Sequence, residues 1–266
     1  MKIMVVTPTL GESPWLNETV SSVAAFGSSC MHVMVAPTGK CAELAQRFSK
    51  IRVISESGKG LYAAVNTALT DESQWDAFTY LNDDDTLLPG FGAAAKTAGI
   101  AGLNCFVYGN VRLIDGAGRR VGAIPVSHHP RHNRDLYAQR LEPVYQHGTL
   151  VGRGVWEAHG GFDPAFLYCG DSEFLGRLCT LGVASIYVNV EVAAFRLRKG
   201  QLTKNRSVMI DERKRVDEKL GLIAAQINPR HRWARLAFRA GNFFVYAERI
   251  ARHGFVSFDQ LIERSE

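Results

Sequence analysis

The sequence predicts an α/β fold in which a mostly parallel sheet is flanked by helices. Three observations predict it. Short β-branched apolar runs recur through the first 110 residues. Segments with helical apolar spacing fill the gaps between them, and Gly, Pro or Asp turn signals punctuate both. Strands that alternate with helices every roughly 20–30 residues imply crossover connections, hence parallel pairing. In such sheets ligands bind beyond the carboxyl ends of the strands.

Taken in order, Lys2 to Val6 is an apolar strand that ends at Thr7-Pro8-Thr9, and Asn17 to Phe26 suits a helix. Met31 to Val35 is a second strand, halted by Pro37 and Gly39, with a helix over Cys41 to Phe48. Ile51 to Ser55 is a third strand; Gly58-Lys59-Gly60 turns into a helix over Leu61 to Leu69. Ala77 to Leu81 is a fourth strand that runs into Asp83, Asp84 and Asp85; a helix over Phe91 to Ala98 and a strand over Cys105 to Tyr108 follow. Residues 111–122 read as a hairpin around Asp115-Gly116. The polar, basic residues 127–140 read as a mobile loop. Gly148 to Gly161 reads as a strand and then a helix stopped by two glycines, and residues 171–181 as another helix. Four strand-end loops, at Thr7 to Thr9, Ala36 to Gly39, Ser55 to Gly60 and Asn82 to Asp85, gather at one rim.

Composition sets the class. The 266 residues are 46% hydrophobic and 21% charged, ordinary for a soluble chain with a sizeable core. Five cysteines, none spaced C-x-x-C, read as reduced thiols in a cytoplasmic setting. No apolar run reaches the roughly 18 residues of a membrane span, and MKIMVVTPTL reads as a buried strand rather than a signal peptide. The net charge of +5 is mild.

The aspartate run carries the chemistry. Adjacent carboxylates repel, so a purely structural role needs compensation. A solvated acidic turn is one reading. A hard divalent cation is the other, because Mg²⁺ and Mn²⁺ take oxygen ligands, often one or two carboxylates plus substrate phosphates. Lys59, in a glycine turn before a helix N-terminus, offers an anion environment nearby. That turn is not a G-x-x-x-x-G-K-[ST] loop, and no G-x-G-x-x-G follows the first strand. An ordinary NTPase and a nicotinamide enzyme are both disfavoured.

VVTPTL at 5–10, GKGLYAAVNTAL at 58–69, YLNDDDTLLPG at 80–90, HGTLVGRGVWEAHGGFD at 147–163 and CGDSEFLGRL at 169–178 stand in the order found in inverting GT-A glycosyltransferases of family 2. The resemblance covers roughly residues 1–200. It implies a GT-A sheet, mixed but mostly parallel, with a nucleotide-sugar donor, Mn²⁺ or Mg²⁺, and a single displacement at the anomeric carbon. Residue by residue, it implies Asp84 and Asp85 at the metal and Asp83 nearer the ribose. Thr7, Thr9, Lys59 and Asn66 fall on the nucleotide-sugar side. Asp171 matches the general base, with Glu173 the competing carboxylate. Asp171 also reads simply as a first-turn helix acid. The family often has Asp at the place of Asn82 and Glu at the place of Gly170. It commonly carries acids after the second strand and at the place of Gly58, so the identity of the nucleotide stays open.

His147 either meets the acceptor or phosphates or is merely packed. FRLRKGQLT, 195–203, reads either as a flexible basic segment that closes Arg196, Arg198 and Lys199 over a diphosphate or as a solvated loop. Residues 1–203 form the expected catalytic domain and 204–266 a helical C-terminal extension. Within 229–253, Trp233, Leu236, Phe243, Phe244 and Ile250 recur on one helical face, with arginines beside them. That face either docks on the domain or contacts the cytoplasmic surface of a membrane peripherally. No nucleic-acid motif accompanies the arginines. The expected activity is metal-assisted transfer of a sugar to a hydroxyl acceptor, a glycan or a lipid-linked saccharide, in polysaccharide assembly. A sugar-phosphate nucleotidyltransferase and a non-catalytic nucleotide-sugar or glycan-binding module are the rivals. The former should carry a basic glycine-rich signature that TPTLGESPW lacks.

Overall fold

The structure, a computed structural model, describes residues 1–70, 74–198, 206–222, 229–255 and 260. The elements run β1 (Ile3–Pro8), α1 (Leu16–Ala24), β2 (Cys30–Ala36), α2 (Thr38–Arg47), β3 (Arg52–Ser55), α3 (Leu61–Thr70), β4 (Ala77–Tyr80), β5 (Thr86–Leu87) and α4 (Phe91–Ala101). They continue with β6 (Cys105–Ile114), β7 (Arg120–Ile124), α5 (Asn133–Tyr137), β8 (Leu150–Gly152), α6 (Arg153–His159), α7 (Gly170–Thr180) and β9 (Ala184–Arg196). Helices α8 (Arg206–Lys219), α9 (Pro229–Gly241) and α10 (Phe243–His253) follow.

The sheet order is β3-β2-β1-β4-β8-β6-β9-β5, with β7 added to β6 as a hairpin. The β3-β2-β1-β4 half is wholly parallel, and β6 pairs β9 in parallel. Strand β8 is antiparallel to both β4 and β6 and splices the halves together. Period-two geometry explains why β1 is apolar throughout. Met4 and Val6 join the core under α3, α6 and α7, whereas Ile3 and Val5 join the one under α4. Both faces are covered, so every residue of β1 is buried.

Two readings are corrected. Residues 127–140 are not an open loop. They hold a 3₁₀ turn and α5, whose Asn133, Leu136 and Tyr137 are buried. Residues 184–196 form the longest strand of the sheet, β9, so Arg196 ends a strand instead of opening a flexible segment. Lys199 and the remainder of that segment to 203 lie outside the described residues, as does the expected boundary at 203/204.

The C-terminal helices α9 and α10 pack on the α/β fold. Helix α9 docks through Ala234 and Phe238 against Leu136 of α5. The Asn242 side chain, between α9 and α10, bonds both backbone groups of Val126 (2.7 and 3.1 Å). The face expected to dock or touch a membrane points outward: Trp233 is 68% exposed and Phe244 81%.

Candidate functional site

A cleft of about 620 Å³ opens at the carboxyl ends of β1 and β2. Thr9, Leu10 and Trp15 form one wall, Glu56, Lys59 and Leu61 another, and Asp83 and Arg198 close one side. Sheet polarity puts these residues together, since each loop leaves a parallel strand at the same edge. Gly58 and Gly60 adopt positive φ (+117° and +91°), the turn that carries the exposed Lys59 to the start of α3.

The three aspartates diverge. Asp83 faces the cleft, where Thr9 Oγ1 donates to its Oδ2 (2.5 Å) and Ser13 Oγ to its backbone carbonyl (2.7 Å). Burial raises the Asp83 carboxyl above its usual range, against the opposing pull of Thr9 and Arg198. Asp84 accepts from Arg198 Nε (2.5 Å). Its carboxyl is pushed up to about 6 by burial and by the neighbouring charge of Asp85. Asp85 is fully buried, and Arg196 N–H (2.9 Å) and Asn82 Nδ2 (3.0 Å) donate to its two oxygens. His147 Nε2 lies 3.4 Å from Asp85 Oδ2 without hydrogen-bond alignment, and its ring packs on Phe195.

Asp171 stands in the first turn of α7 and is partly exposed. Ser172 N–H donates to its Oδ1 (2.9 Å), and Tyr62 OH lies 3.1 Å from the same oxygen. Burial, and then the Glu142 carboxylate, raise its pKa, while His147 and Tyr62 pull it back. Burial, and then the charges of Asp171 and Asp85 among others, raise the Tyr80 hydroxyl, and His147, which stands 3.4 Å from Asp85, lowers the Asp171 pKa.

Residues 4–151 match glycosyl transferase family 2. The chain belongs to that family. Among solved structures it is similar to S. aureus TarS 1-349, with 13% identity, a TM-score of 0.60, and coverage of 98% of this chain and 77% of that one. The same protein in complex with UDP-GlcNAc gives 12% identity and 0.62 over equal shares. The mannosyltransferase PcManGT from Pyrobaculum calidifontis, in complex with GDP-Man and Mn²⁺, gives 17% and 0.56, covering 94% of this chain and 73% of that one. These likenesses show the GT-A fold. A search of curated proteins finds no match.

Several residues expected at the donor site of this family 2 chain have other tasks here. Thr7 is buried, with Oγ1 2.9 Å from His32 Nε2. Burial takes that imidazole down to about 4, so it is neutral and serves the β1–β2 pair. Asn66 clamps the loop before α7, donating to Phe162 O (2.7 Å) and accepting from Phe162 N–H (3.0 Å). Arg196 is fully buried; it bonds the carbonyls of Asp84 (2.8 Å), Asp115 (3.2 Å) and Gly116 (3.1 Å) and pairs with Glu18. Arg198, two residues on, lines the cleft. Glu173 is buried beneath Arg177 (2.9 Å) and Lys219 (3.1 Å).

Sequence reasoning missed Glu56, Glu12 and Trp15 in the cleft lining. The signal for Glu56 was its place at the third strand end, two residues before Gly58. Among the described residues no cluster of three or more metal-ligating side chains forms a ready cage. The donor set still fits a hard cation. Asp84 and Asp83 offer carboxylate oxygens, Asp84 is crowded by like charge, and such cations complete their shell with substrate phosphates and water. All three carboxylates already hold protein partners, Thr9 on Asp83, Arg198 on Asp84, and Arg196 and Asn82 on the two oxygens of the fully buried Asp85, which therefore fits least.

Proposed function

We propose that this glycosyltransferase moves a hexosyl group from a nucleotide-sugar to a hydroxyl acceptor with inversion. The observation that supports the reading is the nucleotide-sized cleft at the strand ends, with Asp83, Lys59 and Arg198 in its lining and Asp84 paired to that same Arg198, beside a second carboxylate, Asp171, held by Tyr62 and Ser172 in the first turn of α7. Trp15 and Leu10 offer apolar surface to a base, Glu56 a ribose acceptor, and Lys59 and Arg198 charge for a diphosphate. Asp83 and Asp84 are the residues that would hold Mn²⁺ or Mg²⁺, which would supply neutralisation of the charge on the leaving diphosphate.

The acceptor oxygen attacks the anomeric carbon as the bond to the diphosphate breaks. Its proton passes to Asp171, whose raised pKa makes it a better base than a solvated aspartate. Asp171 takes this role over Glu173 because Glu173 is sealed under two cations. The acceptor is a glycan or lipid-linked saccharide, and the outward face of 229–253 supports peripheral contact with a membrane surface.

A thermal-shift screen with UDP, GDP, dTDP and CMP, with and without Mn²⁺, is the direct test. A nucleotide at 100 times its Kd stabilises the fold by about 2.7 kcal/mol. One nucleotide should act, and only with metal. Asp84→Asn should abolish that shift, whereas Asp171→Asn should keep it and lower turnover by at least about 100-fold. No shift with any nucleotide, or normal turnover in Asp171→Asn, overturns the reading.

A further inference from the structure

The loop that leads into α7 is held by a residue far away in sequence. Glu212 of α8 is 3% exposed, and its carboxylate accepts from three successive backbone N–H groups. They are Leu167 (2.6 Å, to Oε1), Tyr168 (2.8 Å, to Oε2) and Cys169 (2.9 Å, to Oε2). Three N–H groups on one buried carboxylate make a rigid mount, since each bond to a charged acceptor is worth more than a neutral one. The mount ends one residue before α7 and two before Asp171. The next residue of α8, Arg213, ion-pairs with Glu142, which accepts from Ser172 Oγ (2.6 Å). Ser172 N–H in turn bonds Asp171.

We infer that Glu212 and Arg213 are positioning residues of the transfer site, setting the place of Asp171 from one turn of α8. Nothing in the catalytic motifs points to them, because both lie beyond residue 203. The inference deepens the proposed function and rests on Asp171 as base. The groups that face Asp171 are Tyr62, Tyr80, Tyr137, Glu142, His147 and Cys169. Of these Glu142 is the charge that Arg213 controls. Losing Arg213 leaves the Glu142 charge uncompensated and raises the Asp171 pKa, whereas neutralising Glu142 lowers it. A base limb follows its pKa, so the two changes move the acid side of the pH–rate curve in opposite directions.

The test uses the full chain and five variants: Glu212→Ala, Glu212→Gln, Arg213→Gln, Glu142→Gln and Asp171→Asn. Release of nucleoside diphosphate is measured from UDP-glucose, UDP-GlcNAc and GDP-mannose, with amide exchange followed at residues 167–169. Glu212→Ala should lose amide protection there and at least tenfold in kcat, with the donor KM within threefold of wild type. Glu212→Gln, which keeps its shape but not its charge, should fall between. Arg213→Gln should shift the acid limb to higher pH and Glu142→Gln to lower pH. Unchanged amide exchange or kcat in folded Glu212→Ala overturns the mount. If that variant does not fold, limbs that fail to move apart in the other two overturn the inference. Full activity in Asp171→Asn removes the base reading itself, which the exchange data do not depend on.

Discussion

Gly170 stands where the family resemblance calls for Glu, and the reason is steric. A Cβ built there would lie 2.5 Å from Cε2 of the Tyr62 ring. The ring therefore fills the space of a side chain at 170 and brings its hydroxyl 3.1 Å from Asp171 Oδ1 and 3.0 Å from Tyr168 O. Gly170→Ala should displace that ring. Overpacking of this kind costs about 1–3 kcal/mol, read as a lower denaturation midpoint, with a loss of turnover as the hydroxyl leaves Asp171. Tyr62→Phe is the milder probe. It removes a hydrogen bond worth about 1 kcal/mol and also the contact that pulls the Asp171 pKa down. The carboxyl then ionises at higher pH, so activity on the acid side should fall and the acid limb of the pH–rate profile should move up. A limb that stays in place would mean that Tyr62 does not touch the ionising group.

The turn between β4 and β5 shows how three like charges coexist in one element. Each carboxylate leaves in its own direction and meets its own partner: Thr9 for Asp83, Arg198 for Asp84, the Arg196 backbone for Asp85. Arg196 also ties this turn to the hairpin turn at Asp115 and Gly116. Arg196→Met should keep the volume but leave the buried Asp84 carbonyl without the Arg196 donor and break the Glu18 pair, while Asp115 and Gly116 keep Gly118 and Trp15, a loss of about 1–3 kcal/mol measurable by denaturant unfolding. The aspartates and the cleft loops were legible in sequence, because parallel strand ends are marked by apolar runs that stop at polar turns. The task of Arg196 was not. It depends on β9 lying beside β6 and β5, and pairings between residues 79 to 108 positions apart leave no periodic trace. The partners of Asn66 and Thr7 were not legible for the same reason. The partner that occupies each side chain, Phe162 or His32, comes from another part of the chain.

Across the whole molecule, the parallel half was readable from local pattern, whereas the splice through β8 and β9 and the wrapping of α8 to α10 were not. The C-terminal helices illustrate the limit. Helical spacing found the apolar stripe, and the natural expectation was that such a stripe could dock inward. Instead small or aromatic residues between its members, Ala234 and Phe238, make the inner contact, and Asn242 locks the join. The stripe of Trp233, Leu236, Phe243, Phe244 and Ile250 is left outside, with exposed Arg232 and Arg239 next to it. Among the described residues no helix is long and apolar enough to cross a membrane. Aromatic residues beside arginines suit an interfacial position on anionic lipid, where each arginine contributes about 1 kcal/mol. In sedimentation with phosphatidylglycerol-containing vesicles, replacing Arg232 and Arg239 by Gln should therefore weaken partitioning by about 2 kcal/mol, roughly 30-fold. High salt should mimic that loss. Phe243→Ser with Phe244→Ser should also release the protein while leaving the nucleotide-induced thermal shift intact, since neither residue lines the cleft at the strand ends. Equal binding of wild type and both double variants would show that the outward stripe meets no lipid.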